Sequence, residues 1–323
     1  EAEILGFKPE EFWVLVALLS KKGHARTFQA RFYGELSGGR LRRIRLKTGQ
    51  EAQRVLEDVD SHPFVVHDVR KQKKKRQPAA PFTTSTLQQE ASRRMGLPSK
   101  KTMSLAQQLY EGVDLAGDGA TSLVTYIRTD SVRVSSEAVE EARKLIATQY
   151  GAEYLPGIPR VHANRNSAQD AHEAIRPAHF DLPPEKVRSS LTSDQYRLYK
   201  LVWDRFLASQ MAACELETVT ADIAAGRQIF RTTGETVLFK GYQVLLDEGV
   251  PEPGDSPAEA KADEEEAPLR ERLPALKTGE TLELASLKPE QKFTQPPPRY
   301  TEATLIKALE EQGIGRPSTY API

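Results

Sequence analysis

Along this chain the hydrophobic pattern switches from the two-residue period of a strand to the 3.6-residue period of a helix, then back again. Phe28 to Leu36 alternates apolar or small residues with mostly polar ones, and Ser37-Gly38-Gly39 turns it into the basic, β-compatible run Arg40–Lys47. Phe12–Leu19, short and followed by Lys21-Lys22, reads as a buried strand, and Phe64–Val69 is a third. That third strand runs into Arg70–Arg76, six basic residues in seven, expected to be a solvated strand end rather than a localisation or RNA-binding tail. Asp58-Val59-Asp60 is taken as a surface turn before Pro63.

Pro78 and Pro81 mark the change to helix. Ser85 with Gln88 has capping-box spacing and Gly96 closes the helix that follows. A second helix covers Thr102–Glu111, with Met103, Ala106 and Tyr110 on one face. Ser135 or Ser136 caps a third, in which Val139, Ala142 and Ile146 recur before Gly151. The longest begins after Thr192 and carries a core stripe of Tyr196, Tyr199, Trp203, Phe206 and Met211. Beyond Cys214 the strand pattern returns in Thr218–Ala224, Gln228–Thr233 and Thr236–Leu246, with two further runs before Pro296–Pro298. A last helix, Glu302–Gln312, stops at Gly313. A helical domain inserted into a β domain is the simplest architecture with this order.

A net charge of +0 over 323 residues does not exclude nucleic acid, because the charge is unevenly placed. Residues 1–80 carry 17 Lys/Arg against 10 Asp/Glu, whereas Glu252–Glu266 holds seven acids and one lysine. That Pro/Glu/Asp/Ala stretch, within 251–268, is expected to be a flexible insertion. The one cysteine, Cys214, allows neither an intrachain disulfide nor a zinc cluster and is compatible with a cytoplasmic setting. No apolar stretch has the length needed to cross a bilayer, so no membrane partner is expected.

Three polar segments carry residue types suited to phosphate chemistry. In Leu123–Ser131, Tyr126 is followed two positions later by Arg128 and then by Thr129, Asp130 and Ser131. If extended, the tyrosine and the arginine share a face. A phenol is a poor nucleophile at neutral pH, and a guanidinium beside it favours the phenolate and can grip a phosphate oxygen. Alone, the pair reads as a buried strand with an exposed Arg–Asp pair. In Ala168–Pro177, taken as a helical turn, His172 and Arg176 lie four apart on one face and can hold a phosphate, with a capped surface helix as the plain alternative. His-Glu-x-x-Arg lacks the second histidine of a zinc protease, which removes a metal reading. In Gln312–Tyr320, a glycine-flexible turn presents Arg316, Ser318 and Thr319 to a backbone phosphate.

In this order and spacing the three segments resemble bacterial type IA DNA topoisomerase I. Thr125-Tyr126-Ile127-Arg128-Thr129-Asp130-Ser131 is similar to its active-site strand, His172-Glu173-Ala174-Ile175-Arg176-Pro177 to a second motif, and Pro297–Tyr320 to a third. Pro81–Gln88 and Pro9–Trp13 match as well, so the likeness spans nearly the whole chain apart from the acidic insertion. The resemblance implies Tyr126 as the nucleophile that takes the 5′ phosphate of one cleaved strand. Arg128 would position that phosphate, with His172, Asp130 and Arg176 in support, while Arg316, Ser318 and Thr319 would contact single-stranded DNA. ATP is not implied. Mg²⁺ is implied for the intact enzyme, held by an Asp-x-Asp-x-Glu domain that has no counterpart here, so no metal ligand is expected in this chain.

The fold the resemblance implies is a multidomain α+β arrangement, a helical lid inserted into a β-rich arch, with pieces of a helical base at both ends. Residues 1–11 would end the base, 12–80 and 216–290 form the arch, 81–215 the lid with Tyr126, and 291–323 return to a truncated base. The chain is expected to be a monomer or weak dimer that binds single-stranded DNA and cannot relax supercoils unaided. The rival reading is a non-catalytic, single-stranded-DNA-binding arch in which Tyr126 only stacks on a base. A tyrosine recombinase would need the tyrosine after its arginines and histidine, the reverse of the order here.

Overall fold

The computed structural model describes residues 1–115, 117, 119–162, 172–246 and 273–322. The acidic segment 251–268 and residues 168–171 of the histidine motif lie outside the described residues. In chain order come α1 (Ala2–Leu5), β1 (Glu11–Lys21), β2 (Thr27–Ser37), β3 (Arg40–Arg43), α2 (Gly49–Asp60) and β4 (Phe64–Arg76). Next are α3 (Thr84–Met95), α4 (Ser99–Glu111), the two-residue strands β5 (Val113–Asp114) and β6 (Ala120–Thr121), α5 (Ser136–Gln149), α6 (Pro184–Val187) and α7 (Ser193–Gln210). Strands β7 (Cys214–Ala225), β8 (Gln228–Phe239) and β9 (Thr281–Phe293) precede α8 (Glu302–Glu311). The described residues form two compact units: 1–75, 215–239 and 273–298 in the first, and 76–214, 240–246 and 299–322 in the second.

The first unit is built on a seven-stranded sheet in the order β1-β9-β4-β7-β8-β2-β3, and β1 also pairs with β2. That extra pairing closes six of the strands into a ring and leaves short β3 appended to β2. Closure removes most of the unpaired backbone that an open sheet would expose. Gly34 sits at the irregularity where β2 changes register against β8. A Cβ there would fall 1.9 Å from the Arg42 carbonyl oxygen, so only glycine lets β3 approach. Leu15, Leu19, Phe28, Phe64, Val66, Ile223 and Phe230 fill the interior.

Helix α2 packs against that core through Ala52, Val55 and Val59. This corrects the reading of Asp58-Val59-Asp60 as a turn: the triplet is the last helical turn, Val59 is buried, and Asp58 accepts from Gln228 (2.7 Å) and Arg227 (3.1 Å). Thr48 caps the helix by accepting from the Glu51 N–H. The basic run Arg70–Arg76 is strand throughout. Arg70 reaches Asp222 (2.6 Å), Lys71 lies 3.9 Å from Glu217 and Lys75 2.8 Å from Glu215, so acids on β7 answer the bases on β4. Two of the expected strands, Gln228–Thr233 and Thr236–Leu246, are one strand, β8, followed by a 3-10 turn over Gly241–Val244.

In the second unit, α3 is capped two residues earlier than the spacing indicates. Thr83 and Thr86 form the capping box, and Ser85 and Gln88 are buried. The start of α7 after Thr192 and the Ser135 cap on α5 match the sequence reading, and Gln195 completes a capping box with Thr192. On α7, Tyr199, Trp203 and Phe206 are buried together with Leu198, Val202 and Leu207, because their 3–4 residue spacing turns one broad face inward. Arginines tie the connecting segments to this core: Arg160 donates to the Met211 carbonyl and the Gln77 side chain (both 2.7 Å), and Arg205 donates to the Ala80 carbonyl (2.8 Å). Among the described residues, no helix is long and apolar enough to cross a membrane.

Candidate active site

The segment bearing Tyr126 is not a regular strand, contrary to the extended reading, yet its exposure alternates. Tyr126 and Arg128 are exposed, whereas Val124, Ile127 and Thr129 are buried. Two threonines hold it on either side of the tyrosine. The Thr125 hydroxyl donates to the Ala174 carbonyl (2.7 Å) and accepts from the Arg176 N–H (3.0 Å), while the Thr125 N–H donates to the Arg176 carbonyl (3.0 Å). On the far side, the fully buried Thr84 hydroxyl donates to the Ile127 carbonyl (2.7 Å) and accepts from the Thr129 N–H (2.9 Å). The backbone on both sides of Tyr126 is thus fixed by neighbours distant in sequence.

The histidine motif is extended over its described part, not a helical turn. Ile175 bridges Phe82 and Pro177 bridges Val124, so the motif is laid between the start of α3 and the tyrosine segment. Those cross-chain hydrogen bonds satisfy a backbone that Pro177 would in any case stop from continuing as a helix. His172 and Arg176 consequently do different things. The His172 ring lies 4.9 Å from the Tyr126 ring at 33°. Arg176, half-buried, is gripped within its own loop by the Glu173 carboxylate (2.7 and 2.8 Å) and the Pro177 carbonyl (2.9 Å). Tyr110, which the sequence places on one face of α4 with Met103 and Ala106, is half-buried and meets Tyr126 edge-on at 5.7 Å and 70°. Asp130, half-buried, follows the buried Thr129.

Arg128 opens into a cleft of about 460 Å³ that Ser318 and one face of α4 also line. The glycine-rich turn brings Ser318 there through left-handed residues Gly313 (φ 69) and Gly315 (φ 84), a conformation that favours glycine. Its Thr319 hydroxyl is engaged locally, accepting from the Arg316 N–H (2.8 Å), so Thr319 shapes the turn while Arg316 stays exposed. The structure therefore gathers Tyr126 with His172, and Arg128 with Ser318. Sequence reasoning missed Tyr110, Thr125 and Thr84 as supports. Their partners lie 16 to 51 residues away, and no local spacing marks them.

A half-exposed tyrosine beside a histidine, followed by an exposed arginine, can attack a phosphodiester and hold its oxygens. The comparisons agree in kind. A protein family described as DNA topoisomerase matches residues 1–323. Full-length topoisomerase I from Thermotoga maritima superposes with a TM-score of 0.74 at 35% identity, covering 99% of this chain and 47% of that one. The chain thus spans about half the length of that solved relative. With the whole of its length matched and the tyrosine, histidine and glycine-rich motifs in place, the chain belongs to the bacterial type IA topoisomerase I family of DNA topoisomerases.

Proposed function

We propose that this chain carries the strand-cleaving tyrosine of an ATP-independent topoisomerase that breaks and rejoins single-stranded DNA. The observation that supports this most is Tyr126, 38% exposed, held between anchored neighbours with His172 against its ring and Arg128 two residues on. The Tyr126 oxygen attacks the phosphorus, the bond to the 3′ oxygen breaks, and the phenolic proton is balanced by the one the departing 3′ hydroxyl gains. Arg128 holds the phosphate and stabilises charge as it develops. His172 lines the approach of the DNA backbone, and Arg176 positions it by fixing the loop that bears it. One phosphate ester replaces another, so bond energy is conserved, resealing needs no nucleotide, and supercoil strain drives relaxation. In this reading the helical unit is the lid that opens the gate and the strand-built unit its hinge.

The resemblance implies Mg²⁺ for the intact enzyme, but among the described residues no group of three or more His, Cys, Asp or Glu could hold a metal ion. No step assigned to these residues runs through a metal.

Covalent capture tests the proposal. An intact enzyme bearing this chain, supplied with Mg²⁺ and an end-labelled single-stranded oligonucleotide, is denatured and probed for protein–DNA adducts. An adduct on the 5′ phosphate, absent from Tyr126→Phe, is the expected result. An adduct that survives the substitution would mean another residue attacks.

A further inference from the structure

Helix α4 has two distinct faces. Thr102, Leu105, Ala106 and Leu109 are buried, whereas Lys100, Met103, Ser104 and Gln107 recur at i, i+3, i+4 and i+7 along the cleft that holds Arg128. A solvated polar stripe is the ordinary state of a helix surface. This one differs in sharing a cleft with a guanidinium, and neither Asp nor Glu is among the lining residues. The neighbouring Lys101 is committed to Asp194. Lys100 is exposed, and no described residue forms an ion pair with it. The N-terminus of α4 is already occupied, since the Ser99 N–H donates to the Glu302 carboxylate (2.6 Å). An anion entering the cleft must therefore be held by side chains.

We propose that the cleft is a second phosphodiester site next to the point of cleavage, with Lys100 binding the phosphate that adjoins the one held by Arg128. Ser104, Gln107 and Ser318 supply hydrogen-bonding groups to the sugar–phosphate backbone between them. The proposal rests on the reading of Tyr126 and Arg128 above and adds the direction in which the strand leaves them, along α4. Contacts of this kind fix the position of a strand without reading its bases, so the effect is independent of sequence.

The test is fluorescence anisotropy of this chain with a labelled single-stranded oligothymidine over a salt series. Lys100→Met weakens binding about fivefold and lowers the slope of log K against log salt by about 0.7, the share of one phosphate contact on a single strand. Lys100→Arg restores both, Lys144→Met on α5 changes neither, and all variants melt with the wild type. A Lys100→Met chain that binds as wild type, or a loss that arginine does not rescue, overturns the proposal. Failure of the wild-type chain to bind single strands overturns it as well, but leaves Tyr126 to the covalent capture of the intact enzyme. If capture fails while Lys100 behaves as expected, the cleft stands and the nucleophile assignment falls.

Discussion

Tyr126, the proposed nucleophile, shows how little a side chain need contribute to its own placement. Its neighbours do the holding, and Thr125 spans three backbone groups of the histidine motif. Thr125→Val keeps the shape and removes the hydroxyl, leaving the Ala174 carbonyl and the Arg176 N–H short of a partner. A loss of about 1–3 kcal/mol in urea unfolding is expected. Adduct yield falls further than that stability change accounts for, and Thr125→Ser recovers both. An adduct yield equal to wild type would show that the tyrosine does not depend on this anchor. Arg128→Lys is a second expectation at this scale. It keeps the charge but loses the planar fork, so cleavage slows by about tenfold or more while the melting temperature is unchanged.

Elements differ in how openly the sequence states them. The boxes Thr83/Thr86 and Thr192/Gln195 and the inward face of α7 are local, so spacing alone finds the helices, if not always the right cap. Thr83→Ala is expected to cost about 1 kcal/mol and to lower protection of the first-turn amides of α3 in hydrogen exchange, while those of α7 stay unchanged. Helix α2 was legible too: Ala52, Val55, Leu56 and Val59 recur at helical spacing behind a Thr48/Glu51 cap. The paired aspartates before Pro63 suit a turn as well as a helix end, which competes with that periodicity. Val59→Ala should remove about 2 kcal/mol through the cavity it leaves, read as a shift in denaturant midpoint without a change in slope. The histidine motif is the reverse case. Its residues suit a helix, and only the bridges to Phe82 and Val124 make it extended.

At the scale of the molecule, a buried phenol and a hydrogen-bonded carboxylate shape the response to pH. Burial raises the Tyr199 phenol well above its ordinary value of 10, and its hydroxyl donates to the Leu182 carbonyl (2.7 Å). The folded-state value is the higher one, so the stability it contributes is complete below pH 10 and is lost as pH rises through 10 toward that value. Alkaline thermal melts should therefore fall more steeply for wild type than for Tyr199→Phe, which starts lower but has no phenol there to ionise. Parallel curves would refute this. Asp58 works at the other end. Hydrogen bonds from Gln228 and Arg227 hold its carboxyl below 3.8, so its contribution is present above that value and is lost on further acidification.

Periodicity, caps and the order of segments are local or linear properties. By itself the sequence determined the alternation of strand, helix and strand, the positions of most helices, and the motifs that mark the family. Only the tertiary structure decided that β1 pairs with both β9 and β2 and closes the ring. The same holds for the extension of the histidine motif beside Tyr126, the engagement of Arg176 within its own loop, and the meeting of Lys100, Arg128 and Ser318 at one cleft. Each of these depends on hydrogen bonds and packing between residues far apart in the chain, where free energy is gained by the pair and no property of either residue alone announces it.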